Sequence, residues 1–193
     1  MISESQYNEI AAHWDGEVFQ TWARIKKSMP HFEKVVLPHL AGKRVLEIGC
    51  NAGIYAWHIA KVAKSYHGID IGENFIRQAR ETAKFIQGAP TTFTVSALRD
   101  FPVETENYDA IFASYVLYHL NDAEIDLFEK KIAPRADTIA VQIRANKRRS
   151  SNSCNLMKPA NVVALFDRAG FDCTIRWAHW WHSVFVAVAQ KRK

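Results

Sequence analysis

The chain has 193 residues, 48% hydrophobic and 23% charged, with a formal net charge of +5 at neutral pH. That length supports one domain with a real core, and no apolar stretch reaches the roughly 20 residues a membrane-spanning helix needs. The polar, acidic start MISESQYNEI is unlike a secretory signal, and Cys50, Cys154 and Cys173 are scattered without metal-ligand spacing, so free thiols in a reducing cytoplasm are expected.

Residues 5–15 and 18–40 carry helical spacing, with Tyr7, Ile10, Ala11 and Trp14 on one stripe and Pro30 and Pro38 as punctuation. Strands and helices then alternate. Arg44–Ile48 reads as a strand, Ile54–Lys64 as a helix and Ser65–Ile69 as a short strand. Glu73–Gln87 places Ile76, Ala79, Ala83 and Ile86 on one helical face, with Gly88 as its stop. Thr92–Ser96 and Tyr108–Ala113 are strands, Ala123–Ile132 is a helix, and Thr138–Arg144 is a fifth strand. Such alternation predicts a parallel sheet with helices on both faces.

The C-terminal part departs from plain alternation. A helix over Pro159–Ala169 stops at Gly170, and FDCTIRW (171–177) then alternates Phe171, Cys173, Ile175 and Trp177 against Asp172, Thr174 and Arg176. VFVAVA (184–189) is apolar throughout and follows after only a few residues, so the two segments predict an antiparallel hairpin. One wet face suits an edge strand, whereas continuous apolarity suits an interior one. The last strand is therefore expected inside the sheet and its predecessor outside it.

Four motifs combine with that ending: VLEIGCNAG (45–53), HGIDIG (67–72), YDAIFASYVLYHL (108–120) and the terminal AGF with its hairpin (169–189). Together they resemble the class I S-adenosylmethionine-dependent methyltransferases, over nearly everything from Gly42 to Gln190. The wording CNAGIYA with VLYHL is similar to a narrower branch containing the tRNA wobble-uridine carboxymethyltransferases. The resemblance implies an α/β, Rossmann-like seven-stranded sheet of order 3-2-1-4-5-7-6 with an antiparallel last strand. One domain of residues 1–193 is expected, with 1–41 as a helical lid and 42–193 as the core.

The resemblance also implies S-adenosylmethionine as cofactor and S-adenosylhomocysteine as product. The turn after the first strand, with Gly49, Cys50, Asn51 and Gly53, is expected to cradle it, the glycines letting backbone approach a ligand closely. Asn51 stands where many relatives have glycine, and asparagine is the other residue that tolerates positive φ. Glu47 is expected to orient the loop and offset the cofactor's ammonium. Asp70 would accept the ribose hydroxyls, with Ile71 against the adenine. Ser96 holds the place of a common aspartate, so the adenine amino group falls to Ser96, Asp100 or the backbone of Ala97. Ser114 and Tyr115 lie below the expected sulfonium, and Tyr118 and His119 near the transferred methyl.

His119 is a candidate general base, or a structural histidine bonded to backbone at a helix start, the reading favoured because good nucleophiles often need no base. Tyr7, His13 and Trp14 are candidates to close the pocket over cofactor and substrate, or form an amphipathic core stripe. HWWH (179–182) has two histidines but no third ligand pattern, so no metal site is expected; its tryptophans could stack an acceptor. The expected reaction moves a methyl group to oxygen or nitrogen of a small acceptor such as a saccharide or natural-product intermediate. The alternatives are tRNA modification, using the basic cluster at 144–149, and a non-catalytic cofactor-binding partner subunit.

Overall fold

The computed structural model describes residues 26–102, 107–145, 158–179 and 184–193, apart from the side chains of Lys27, Ala178 and His179. A single 3-10 turn at Lys26–Ser28 leads into helices α1 (Met29–Val35) and α2 (Leu37–Leu40). Strand β1 (Arg44–Ile48) follows, then α3 (Ala56–Ile59), β2 (Ser65–Asp70), α4 (Glu73–Ala83) and β3 (Thr91–Val95). The second half holds β4 (Ala110–Ser114), α5 (Asp122–Leu127), β5 (Thr138–Arg144), α6 (Pro159–Arg168), β6 (Phe171–His179) and β7 (Val184–Lys191).

The seven strands lie in the order β3-β2-β1-β4-β5-β7-β6. β1 through β5 pair in parallel, whereas β7 runs antiparallel to both β5 and β6. The hairpin expected from alternation is therefore present, with the all-apolar strand inserted and fully paired. Phe171 is buried, Cys173 and Ile175 are half-buried, and Asp172, Thr174 and Arg176 face solvent on β6. Such one-sided burial is what an edge strand over a helix allows.

The period of two along each strand sorts the core into two layers. Val45, Tyr66, Phe112, Ala140 and Val186 pack with Phe32, Val36, Leu40, Ile59 and Ile76 on one face. Leu46, Ile69, Ile111, Ile139, Val141 and Phe185 pack with Phe128, Leu165 and Phe166 on the other. Glu47 and Gln142 continue the first layer's parity, so two polar side chains are directed into the face covered by α1 and α3. Both are almost completely buried.

Four elements differ from expectation. α4 ends at Ala83 rather than Gln87. The helix expected over Ile54–Lys64 is helical only at Ala56–Ile59, because turns on both sides tie it to the sheet. The helix expected over Ala123–Ile132 begins at Asp122, capped reciprocally by Asn121 and Glu124, and continues as a π-helical turn at Phe128–Ile132. Residues 29–40 belong to the core rather than a lid, with Phe32, Val36 and Leu40 fully buried. Tyr7, His13 and Trp14, and the HWWH tryptophans Trp180 and Trp181 with His182, lie outside the described residues, as does Cys154. Among the described residues no helix is long and apolar enough to cross a membrane.

Candidate active site

The carboxyl ends of β1, β2 and β4 meet where the chain reverses its direction of winding, the place at which open α/β sheets bind ligands. A cavity of about 630 Å³ opens there, within the range of small-molecule sites.

The turn after β1 forms the cavity's floor. Gly49 and Cys50 both donate backbone N–H to the Ile69 carbonyl, at 2.8 and 3.0 Å, which fastens the turn to the end of β2. Asn51 sits at φ 51°, in the left-handed region its side chain tolerates. Its backbone N–H donates to Asp70 Oδ2 at 2.9 Å, while Asp70 Oδ1 accepts from the Gly72 N–H at 2.9 Å. The Asp70 carboxylate thus clamps two loops, and each of its oxygens retains a lone pair toward the cavity it lines. It does not cap α4, whose N-cap is Gly72.

The turn glycines also answer to the protein itself. Gly49, at φ 70°, faces Val116, and an added Cβ would collide with the valine's Cγ2. Gly53, at φ 74°, faces the Phe93 ring across β2, with an added Cβ 2.8 Å from Cζ. Gly53 is not among the cavity's lining residues; it packs the turn onto the sheet. Cys50 lines the cavity while its thiol lies over Gly68, and burial pushes that thiol well above its ordinary pKa.

Glu47 lines the cavity from below with 1% of its surface exposed. Its Oε2 accepts a hydrogen bond from the Tyr66 hydroxyl at 2.7 Å. Burial raises its pKa to about 8 against the opposing Tyr66 hydrogen bond, and the nearby Asp70 charge adds to the rise. A carboxyl poised this way gains most from a cationic neighbour.

Ile71 is 76% exposed yet lines the cavity beside Asp70, an apolar shelf at its rim. Ser96, Ala97 and Leu98 form the adjoining wall. The Ser96 hydroxyl donates to the Ala97 carbonyl at 2.9 Å, which leaves its oxygen lone pairs for a donor. Asp100 is exposed, lies 3.7 Å from Arg99 in an ion pair, and is absent from the lining.

The opposite wall is a directed polar network. Ser114 donates to the Tyr55 hydroxyl at 3.1 Å, and Tyr55 donates to Gln142 Oε1 at 3.5 Å. Gln142 Nε2 then donates to Tyr115 Oη at 2.8 Å and Ser28 Oγ at 3.2 Å. Tyr115 is the second non-glycine residue with positive φ, at 60°. Tyr118, His119, Leu120 and Arg144 complete the outer end, the Tyr118 and His119 rings lying 4.4 Å apart at centroid.

Ten of the eleven residues expected to hold cofactor therefore line one cavity, together with Tyr118 and His119. Tyr55, Phe75, Leu98, Val116 and Arg144 line it as well without having been singled out for it. Tyr55 lies within CNAGIYA, and Arg144 opens the basic cluster, so both stood beside a recognised signal.

Residues 45–134 match the model of a methyltransferase domain. A tRNA U34 carboxymethyltransferase of Pseudomonas savastanoi pv. phaseolicola is 32% identical over 114 residues, which are 58% of this chain and 34% of that protein. The chain thus spans about a third of the length of such curated relatives. Among solved structures, the DhpI–SAH complex aligns with a TM-score of 0.76 at 16% identity, covering 97% of this chain and 96% of that one. Magnesium protoporphyrin IX methyltransferase from Synechocystis PCC 6803, solved with SAM, gives 0.67 at 19% identity, covering 87% and 82%. Residues 45–134 thus match a methyltransferase domain, and the sheet of order β3-β2-β1-β4-β5-β7-β6 has the Rossmann-like fold of these solved structures.

Proposed function

We propose that this chain binds S-adenosylmethionine in the 630 Å³ cavity and transfers its methyl group to an oxygen or nitrogen of an acceptor entering beside Tyr118, His119 and Arg144. The observation that carries the reading is the pairing, on one floor, of the buried Glu47 carboxyl with the Asp70-clamped turn. The groups fit the cofactor's chemistry. Glu47 suits an ammonium, the remaining Asp70 lone pairs suit ribose hydroxyls, and the exposed Ile71 with Leu98 suits a flat apolar ring. Ser96 and the Ala97 backbone offer acceptors suited to an exocyclic amine. When bound, S-adenosylmethionine supplies an electrophilic methyl carbon.

The protein's share is then orientation. The turn and Asp70 fix one end of the cavity, and the Ser114–Tyr55–Gln142–Tyr115 network fixes the wall beside the reacting centre. Holding nucleophile, methyl carbon and leaving sulfur in line removes most of the entropic part of the barrier. Alignment carries the acceleration, so His119→Gln should retain measurable turnover on a good nucleophile. In this reading the chain works as one domain.

A small acceptor is the first reading, because a cavity of about 630 Å³ is of small-molecule size. A second reading, tRNA modification, is favoured by the similarity to tRNA U34 carboxymethyltransferases and by Arg144 at the cavity mouth. Calorimetry with S-adenosylhomocysteine tests cofactor binding. A panel of hydroxylated and aminated small molecules beside bulk tRNA, assayed for S-adenosylhomocysteine release at two salt concentrations, separates the acceptors. Turnover on tRNA should fall steeply with salt, and turnover on a neutral small acceptor should not. Undetectable cofactor binding sinks the whole reading, and binding without turnover on any acceptor points to a partner subunit.

A further inference from the structure

The cavity's charges are unevenly committed. Three carboxyl groups line it: Glu47, Asp70 and Glu124. Glu47 is buried against Tyr66, Asp70 clamps two backbone N–H groups, and Glu124 Oε2 accepts the Asn121 N–H at 3.0 Å in a helix cap. Among the described residues the one fixed cation of the lining is Arg144, at the carboxyl end of β5. It is exposed, and no side-chain hydrogen bond or ion pair engages its guanidinium among the described residues.

Arg144 stands on the acceptor side. β5 lies beyond β4 from the cofactor turn on β1, and the neighbouring Gln142 is already within the Tyr115 network. The guanidinium is near enough to the Tyr118 phenol to act on it electrostatically. Burial nevertheless dominates and pushes that phenol up to about 12, so Tyr118 presents a neutral hydroxyl donor at physiological pH. A planar guanidinium beside a hydroxyl donor is an arrangement suited to two oxygens of one anion.

We infer that the methyl acceptor carries an anionic group, a carboxylate or a phosphate, which docks on Arg144 with the Tyr118 hydroxyl as second donor. The inference rests on the proposed methyl transfer and specifies its substrate class. The methylated atom then lies on the cavity side of that anion, toward Tyr115 and the turn.

The test uses the full chain loaded with S-adenosylhomocysteine, titrated with inorganic phosphate and with acetate against chloride at matched ionic strength. Matching removes the general attraction of a cationic surface. Saturable binding of phosphate or acetate is expected, weakened about tenfold in Arg144→Met and partly restored in Arg144→Lys, each losing its bidentate fork to a different degree. S-adenosylhomocysteine affinity should stay within about twofold in both variants, since each tenfold step needs about 1.4 kcal/mol. Phosphate preferred over acetate identifies a phosphorylated acceptor, and the reverse a carboxylic one. Binding unchanged in Arg144→Met, or no saturable binding to the loaded wild type, overturns the inference alone. A loss of S-adenosylhomocysteine affinity in Arg144→Met overturns it too, by showing that Arg144 holds the cofactor's own carboxylate. Failure of S-adenosylhomocysteine to bind the wild type overturns the proposed function and this inference with it.

Discussion

Gln142 holds Tyr115 at both ends. Its backbone carbonyl accepts the Tyr115 N–H at 2.8 Å, and its side-chain amide donates to Tyr115 Oη at 2.8 Å. Tyr115 meanwhile sits at φ 60°, a conformation costly to a bulky residue unless its surroundings over-determine it. The two contacts are what impose the strain and keep the ring on the cavity wall.

Replacing the amide should therefore cost more than one hydrogen bond. Gln142→Leu leaves Tyr55, Tyr115 and Ser28 without their buried partner, and about 1–3 kcal/mol of stability is expected to go with it. Tyr115→Phe removes only one acceptor and should cost about 1 kcal/mol. Urea midpoints of the two variants check the order; equal losses would mean the network is not a unit.

Gly49 and Val116 make a separable pair. Gly49→Ala adds both a left-handed alanine and a collision with Val116 Cγ2. A loss of about 2–4 kcal/mol is expected from strain and overpacking together. In the Val116→Ala background the collision disappears and the conformational part remains, so the second substitution should recover about half of the loss. Full recovery, read as thermal midpoints across the double-mutant cycle, would show that φ 70° matters little.

Glu47 gives a pH dependence of definite sign. Its pKa rises from 4.5 to about 8 in the folded chain, so between those values the native state holds a proton that the unfolded chain has lost. Its contribution therefore lowers stability as pH rises from about 4.5 to about 8, and is level outside that window. Glu47→Gln should flatten this slope in denaturant melts at about pH 5, 7 and 9. An ammonium brought beside Glu47 favours its ionised form, so cofactor binding near neutrality is expected to release a proton. Calorimetry in buffers of different ionisation enthalpy measures that release; none would place the ammonium elsewhere.

Asp70 serves the fold and the proposed ribose contact through the same two oxygens. Asp70→Asn can still accept the N–H of one loop, whereas Asp70→Ala frees both Asn51 and Gly72. Stability losses of about 1 and about 2–3 kcal/mol respectively are expected. S-adenosylmethionine affinity should fall at least tenfold in both. An Asp70→Ala protein that keeps wild-type affinity removes the ribose assignment.

The sheet order was legible because it depends on local signals: an alternating segment, an apolar segment and a connection too short for a crossover. The turn was legible for the same reason, since Gly49, Asn51 and Gly53 each occupy a left-handed position. What those glycines face was not. Val116 and Phe93 come from distant parts of the chain, and only the folded sheet brings them against the turn. Gln142 was hidden likewise: a glutamine in TIAVQIR reads as an interruption of an apolar strand until Tyr55, 87 residues away, is placed beside it. The short α3 was overread because apolar residues run through the buried turn before it, residues 52–55, and on to Ala60.

The inserted β7 imposes an order on synthesis. Gln142 and Arg144 stand opposite Val186 and Val184, so the strand carrying both residues keeps an open edge until the ribosome has delivered residues 184–191. β6 waits on the same segment, having β7 as its single neighbour in the sheet. Most of the cofactor floor, from β1 to β4, can be assembled while the chain is still emerging. The wall toward the acceptor is completed last, and a nascent chain stalled before residue 184 would present two unpaired strand edges to its surroundings.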